Sequence, residues 1–314
     1  MTLATSAFQA IGNTALVQLR RIVPPNGAKI FVKLEFQNPT GSMKDRMALG
    51  LVECAEKDGR MSAKHTLIEY TGGTTGASLA FVCAAKGYAS HMVSSRAFSQ
   101  EKLDQMVAFG AKLTLVPYDG KGIKKELILS MIEEARKLSA APNTFWSNQL
   151  HNADSIAGYH PLGEEIWQQS GGEVTAFVQS IGTAASLRGV ATVLKRQNPR
   201  IKIFAAEPAE SAVLSGGKPG GHDIEGIGIG YAPPLWDPSI VEEVFPVSTV
   251  EAKEMARRLS REEGIFAGTS SGGNVVAALR IAEKLGPSAR VATLMVDSGL
   301  KYVSTDLYHG QSNQ

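Results

Sequence analysis

The sequence predicts an α/β protein with two open, twisted, mostly parallel sheets flanked by helices. Short runs rich in β-branched residues alternate with longer segments of helical period, an order typical of parallel strands joined by crossover helices. The chain has 314 residues, enough for about two domains at ~150 residues each. We expect residues 38–148 to form a smaller domain able to move, and residues 1–37 and 149–314 to form a larger one.

Each predicted element follows from the local pattern of apolar residues. Strands are expected at Lys29–Phe36, Thr66–Tyr70, Ser90–Ser94, Lys112–Val116, Val174–Ser180, Ile201–Ala206, Val244–Val247 and Arg290–Val296. Helices are expected near Lys44–Lys57, Gly76–Lys86, Gln100–Phe109, Lys121–Leu138, Ser155–Gln168, Thr183–Lys195, Thr249–Glu263 and Gly272–Lys284. Ser248 and Glu251 have the spacing of a capping box, which marks one helix start.

The composition argues against several classes of function. The 32 Lys and Arg residues nearly balance 30 Asp and Glu, leaving a net charge of +2, so a broad nucleic-acid-binding surface is not expected. No apolar run approaches the ~18 residues of a membrane span. No secretory signal pattern opens the sequence. The two cysteines and the scattered histidines lack the spacing of a metal site. We therefore expect a cytoplasmic protein.

A lysine between a strand and a helix is the first candidate for chemistry. Lys44 lies within Asn38–Arg46, just inside the predicted start of a helix. The positive end of the helix dipole disfavours an ammonium group there, which suits a nucleophilic amine. The alternative is a surface lysine paired with Asp45.

Three further loops each open a predicted helix, and two of them directly follow a predicted strand. They are Thr71–Gly76, Ser180–Ser186 and Ala267–Asn274. Their small and hydroxyl-bearing residues let backbone amides approach an anion, although each could also be an ordinary tight turn. The stretch Ser215–Pro238 is dense in Gly and Pro, and an irregular segment of that length is often functional.

Taken in order, these segments resemble the cysteine synthase/cystathionine β-synthase family of fold-type-II pyridoxal-phosphate enzymes. The likeness covers almost the whole chain. It is carried by seven segments: Ile11–Val17, Asn38–Arg46, Thr71–Gly76, Gly182–Ser186, Gly226–Gly230, the loop around Ser270, and Asp297–Tyr302.

The resemblance implies roles for particular residues. Lys44 would hold pyridoxal 5'-phosphate as a Schiff base and later move the α-proton. Ser270 would face the pyridine nitrogen, and Thr74 would lie near the 3'-oxygen. The phosphate cup would consist of Gly182, Thr183, Ala184, Ala185 and Ser186. The carboxylate of a small amino-acid substrate would be held by Thr71, Gly72, Gly73 and Thr75.

The resemblance also implies a reaction. It is β-replacement on an activated L-serine through an aminoacrylate intermediate, for example O-acetylserine and sulfide giving L-cysteine and acetate. Two alternatives stay open: β-elimination, as in a dehydratase or desulfhydrase, and a non-catalytic regulator that kept the fold. The family resemblance further implies a homodimer.

Three segments depart from the family pattern. The family's T-S-G-N-T-G loop has Gly72 for the serine and Thr74 for the asparagine. Its G-T-G-G-T phosphate cup has Ala184 and Ala185 in place of two glycines, which keeps the amide donors only where no positive φ is needed. We expect Phe145 to replace the family's glutamine near the substrate carboxylate.

Overall fold

The computed structural model describes residues 3–25, 27–118 and 125–309 and contains two separate sheets. The strands are β1 Leu16–Gln18, β2 Lys29–Lys33, β3 Thr66–Tyr70, β4 Ala89–Ser94, β5 Lys112–Leu115, β6 Thr144–Trp146, β7 Ala176–Ser180, β8 Lys202–Pro208, β9 Glu243–Val247 and β10 Arg290–Leu294. The helices are α1 Lys44–Lys57, α2 Thr74–Lys86, α3 Gln100–Ala108, α4 Lys125–Ser139, α5 Asp154–Ala157, α6 His160–Gln169, α7 Ala185–Gln197, α8 Thr249–Arg258 and α9 Thr269–Leu285.

Both sheets are parallel apart from one edge strand. The larger sheet has the order β1-β2-β10-β7-β8-β9, and only the β1–β2 pair in it is antiparallel. The smaller sheet has the order β5-β4-β3-β6 and is parallel throughout. The predicted fold class is therefore confirmed. Parallel strands place their carboxyl ends at one edge, where ligands bind in open α/β sheets.

Helix α1 packs against the cores of both sheets. Met47 and Leu51 belong to the hydrophobic core that covers one face of the larger sheet. Ala48 and Val52, on the adjacent face of the helix, belong to a core of the smaller sheet. Because α1 begins at Lys44, this double packing fixes the candidate lysine between the two sheets.

A buried group of charges anchors the start of α1 to the larger sheet. The Arg46 guanidinium donates to Glu35 over 2.7 and 2.9 Å and to Glu165 over 2.8 Å. Lys33 forms a second ion pair with Glu165 at 2.6 Å. Arg46, Glu35 and Lys33 are almost completely buried. These groups hold one another in place because an unpaired charge among them would be buried at a high cost.

One predicted helix is wrong. The segment Ser155–Gln168 is divided into α5 and α6. At Gly158 the chain passes so close to α1 that a Cβ atom would meet the Arg46 carbonyl oxygen at 2.8 Å. Pro161 follows in the first turn of α6, where its missing amide costs no intrahelical hydrogen bond.

Other predicted boundaries differ by a few residues. The strand predicted from Lys29 ends at Lys33 and is followed by a 3₁₀ turn. The structure also contains two three-residue strands, β1 and β6, that the sequence did not predict. Helix α8 has the predicted capping box at Ser248 and continues beyond Arg258 as a short π-helix. The start of the helix predicted from Lys121 lies outside the described residues. Within the described part of the chain, no helix is long and apolar enough to cross a membrane.

Candidate active site

Lys44 is the first residue of α1, and its side chain lines a cavity between the two sheets. Its backbone amide donates to the Ser42 hydroxyl over 3.2 Å. Burial lowers the pKa of the Lys44 amine to about 8, whereas the negative charge of Asp297 acts in the opposite direction. No described residue forms a hydrogen bond or ion pair with the amine. The amine is therefore neutral far more often near neutral pH than that of an ordinary lysine, as a nucleophile or base requires.

The cavity has a volume of about 480 Å³, within the ~300–1,000 Å³ common for small-molecule sites. It lies at the carboxyl ends of β3 and β7. One wall is the segment Pro219–Gly230, within the irregular Gly- and Pro-rich stretch. Ten of the twelve predicted site residues line the cavity: Lys44, Thr71, Gly72, Gly73, Thr74, Thr75, Gly182, Thr183, Ser186 and Ser270. Ala184 and Ala185 are buried behind its surface.

The loop after β3 is held rigid by its own threonine. The Thr71 hydroxyl oxygen accepts hydrogen bonds from the amides of Gly73 and Gly76 over 2.9 and 3.0 Å. A Cβ atom at position 72 would meet the Phe98 ring at 2.8 Å, so Phe98 occupies the space that a serine side chain would need. The loop leads directly into α2. The first-turn amides of this helix have no acceptor within the helix, and this end of the helix lines the cavity.

A glutamine in the cavity wall was missed. The expectation that Phe145 replaces the family's glutamine is wrong, because Phe145 lies on β6 in the core of the smaller sheet. Gln149 lines the cavity instead. Its amide accepts from the Thr75 hydroxyl over 2.8 Å and donates to the Tyr70 carbonyl over 3.0 Å. The signal in the sequence that could have identified this glutamine is the apolar Leu150 directly after it.

The loop after β7 presents unused amide donors at the start of α7. The amides of Gly182, Thr183 and Ala184 have no hydrogen-bond acceptor among the described residues. Ala184 has a φ of +69°, a left-handed conformation that is costly for any residue with a Cβ atom. The position therefore does need a positive φ, and it is occupied by alanine nonetheless.

Ser270 reaches the cavity from the first turn of α9. Asn274, one turn further along, ties this helix to the loop after β7. Its side-chain oxygen accepts from the Ser180 amide and hydroxyl over 2.8 and 2.7 Å, and its amide nitrogen donates to the Leu294 carbonyl over 2.9 Å. The amino termini of α7 and α9 are thus fixed on the same cavity.

A buried carboxylate also lines the cavity and was not assigned a role from the sequence. One Asp297 oxygen accepts from the Tyr302 hydroxyl over 2.8 Å, and the other has no hydrogen-bond partner. Burial raises the pKa of Asp297. Residues 42 and 297 form an antiparallel bridge, which places this carboxyl group near Lys44.

The residues present fit pyridoxal phosphate. The free amides at the start of α7 form an anion site. A Cβ atom at Gly182 would meet the Gly226 carbonyl oxygen at 2.3 Å, so the wall segment closes tightly over that end of the cavity. An amine of lowered pKa lies in the same cavity. A phosphate site and a reactive amine in one enclosed space are what an aldehyde-bearing phosphate ester requires.

Comparisons with known proteins agree with this assignment. The family model described as pyridoxal-phosphate dependent enzyme matches residues 7–297. The cysteine synthase of Staphylococcus aureus is 41% identical over 302 residues, which are 96% of each chain. The crystal structure of the cysteine synthase of Entamoeba histolytica has a TM-score of 0.92 and 36% identity, covering 100% of this chain and 93% of that one. A hydrogen sulfide-producing enzyme of Fusobacterium nucleatum has a TM-score of 0.89 and 36% identity, covering 96% of this chain and 100% of that one. The chain belongs to the pyridoxal-phosphate dependent enzymes and is an enzyme of the cysteine synthase type.

Proposed function

We propose that this enzyme replaces the β-substituent of an activated L-serine, taking O-acetyl-L-serine and sulfide to L-cysteine and acetate. The observation that carries the proposal is the Lys44 amine, whose pKa burial lowers to about 8, in a cavity bordered by the amino termini of α2, α7 and α9. Pyridoxal phosphate, when bound, delocalises the electrons left on the α-carbon after its proton is removed.

Lys44 then has two tasks in this proposal. It holds the cofactor between turnovers, and it carries the α-proton during them. Its neutral amine accepts the proton from the α-carbon, and the bond between the β-carbon and the ester oxygen breaks to release acetate. Hydrosulfide (HS⁻) then forms the new bond between sulfur and the β-carbon. The Lys44 ammonium returns the proton to the α-carbon. Atoms and charge balance, since the proton that Lys44 removes is the one that it gives back.

The loops around Lys44 take the binding roles. We assign the substrate carboxylate to Thr71, Gly72, Gly73 and Thr75. Thr75 is held by Gln149, which supports the role of this loop as a rigid anion site. The cofactor-binding residues would be Lys44, Thr74, Gly182, Thr183, Ala184, Ala185, Ser186 and Ser270. The free amides and the α7 dipole favour the phosphate at the Gly182 end.

Net β-elimination is the second candidate. The similarity to a hydrogen sulfide-producing enzyme favours it, because loss of sulfide from cysteine uses the same proton removal and the same carboxylate site. The two reactions differ in what reaches the β-carbon after the leaving group departs. The retained Lys44 amine is a reason to prefer either reaction over a non-catalytic regulator.

Product analysis distinguishes these functions. The purified enzyme, saturated with pyridoxal phosphate, is incubated with O-acetyl-L-serine with and without sulfide, and cysteine and pyruvate are both quantified. We expect cysteine to form with sulfide in large excess over pyruvate, and Lys44→Ala to form neither. Pyruvate as the main product in both incubations would favour elimination. A protein that binds pyridoxal phosphate but releases neither product would refute this choice of substrate.

We also propose an arrangement of larger units. Residues 38–148 would act as a smaller domain that moves against the remainder, and two copies of the chain would form a homodimer in the cytoplasm. The separation of the two sheets along the chain supports the domain division. Light scattering on the purified protein tests the dimer, and amide hydrogen exchange with and without substrate tests the movement. Equal exchange in both states would argue against a mobile domain.

A further inference from the structure

A buried glutamine on β7 contacts the serine of the predicted phosphate cup. Gln179 is 1% exposed, and its amide nitrogen donates to the Ser186 hydroxyl oxygen over 2.6 Å. The same nitrogen lies 3.6 Å from the sulfur of Met43, next to Lys44 in sequence. Gln179 and Ser186 both line the cavity. The glutamine thus lies behind the hydroxyl that the proposed function places against the cofactor's phosphate.

This hydrogen bond determines what the serine can do. A hydroxyl has one hydrogen to donate, together with two positions that accept. Because Gln179 already donates to the Ser186 oxygen, the hydroxyl hydrogen points elsewhere, and no other described residue accepts it. A phosphate group offers only acceptors, so it is complementary to a hydroxyl held in this way.

The second polar atom of the glutamine has no partner of its own. Its side-chain oxygen is buried and has no hydrogen-bond partner. Turning the amide by 180° exchanges the two atoms, and the oxygen would then accept from Ser186 while the nitrogen became the unused group. With the amide turned in this way, the donors left for a phosphate would be the two N–H groups of Gln179. In the observed orientation, in which the nitrogen also lies 3.6 Å from the Met43 sulfur, the donor left is the Ser186 O–H. The pair carries no charge in either case.

We propose that Gln179 is a positioning residue for the phosphate of the cofactor, acting through the Ser186 hydroxyl. The inference rests on the proposed function, since it assumes that the phosphate lies at the start of α7. Side-chain donors matter here because Ala184 and Ala185 contribute only backbone amides to the cup. The structure thereby assigns a phosphate-specific role to a residue three positions before the cup itself begins.

The test compares two ligands that share the aldehyde and differ in the phosphate. The cofactor is removed, and the dissociation constants of pyridoxal 5'-phosphate and of pyridoxal are measured by equilibrium dialysis. The variant Gln179→Met keeps the length of the side chain and removes its hydrogen bonds. We expect it to weaken binding of the phosphate ester about tenfold, the size of one charge-assisted hydrogen bond, and to change binding of pyridoxal less than twofold.

A double-mutant cycle with Ser186→Ala tests whether the effect passes through the serine. We expect the double variant to bind pyridoxal phosphate no more weakly than Ser186→Ala alone. Gln179→Glu, which introduces a negative charge, is the second variant in case Gln179→Met does not fold. We expect it to weaken binding of pyridoxal phosphate, relative to binding of pyridoxal, still more strongly.

Two results would overturn the inference. One is an equal loss of affinity for both ligands, which would indicate a general packing role. The other is additive losses in the double variant. Failure of the proposed function would look different, because the wild-type protein would then make no cysteine from O-acetyl-L-serine and sulfide, whatever its preference between the two ligands.

Discussion

The two neighbouring alanines of the phosphate cup should respond unequally to the same substitution. Ala184 has a φ of +69°, whereas Ala185 is the first residue of α7 and has an ordinary negative φ. A left-handed conformation costs a residue with a Cβ atom ~1–2 kcal/mol. Glycine removes that cost and increases the entropy of the unfolded chain, which costs the native state ~0.4–1 kcal/mol.

Each substitution also removes a buried methyl group, worth ~0.8 kcal/mol. At Ala184 the three terms nearly cancel, so Ala184→Gly should change the free energy of unfolding by less than about 1 kcal/mol. Ala185→Gly, the matched control, should lower it by about 1.5–2 kcal/mol, because glycine is the weaker helix former and Ala185 has no strain to relieve. The assay is equilibrium unfolding in urea of the cofactor-free variants, followed by circular dichroism. If Ala184→Gly destabilised the protein as much as Ala185→Gly does, the argument from backbone strain would be refuted.

Three other changes have expected outcomes. Arg46→Ala should lower the free energy of unfolding by about 3–5 kcal/mol, because it leaves a buried carboxylate unpaired. Arg60, which forms exposed ion pairs with Asp58 and Asp154, is the control, and Arg60→Ala should cost less than ~1 kcal/mol. Equal costs in urea unfolding would contradict this. Asp297→Asn removes the charge that favours the Lys44 ammonium, so the pKa of Lys44 should fall further below its ordinary value. Competitive acetylation of Lys44 in the cofactor-free protein should then be severalfold faster at pH 7, and an unchanged pH profile would contradict the expectation. Gln149→Ala should raise the KM for the amino-acid substrate about tenfold and leave the affinity for pyridoxal phosphate unchanged, and a loss confined to cofactor affinity would contradict its assignment to the substrate side.

Much of the fold could be predicted because its elements are long and locally encoded. Helix α1 has the bounds that its sequence predicts, Lys44–Lys57, since a periodic apolar face follows a Gly- and Pro-containing loop. Strands β1 and β6 have only three residues each, too few for a period to be recognised. The break at Gly158 depends on the close approach of α1, which no local pattern reveals.

The site was predictable where its residues are consecutive. The loops Thr71–Gly76 and Gly182–Ser186 each place most of their members on the cavity, because a strand end and a helix start bring backbone amides to one point. Gln149, Gln179 and Asp297 are single residues on separate elements, and only the sheet topology brings them together. The positive φ of Ala184 is set by the turn geometry and gives no signal in an alanine.

The central claim is that Lys44 is the residue that holds the cofactor. The most direct measurement is reduction of the pyridoxal-phosphate-loaded protein with borohydride, followed by peptide mapping by mass spectrometry. We predict one pyridoxyl group per chain, located on Lys44, and none on that peptide in Lys44→Ala. A stoichiometric label on any other lysine, or an unlabelled Lys44 in protein that retains the cofactor, would contradict the account.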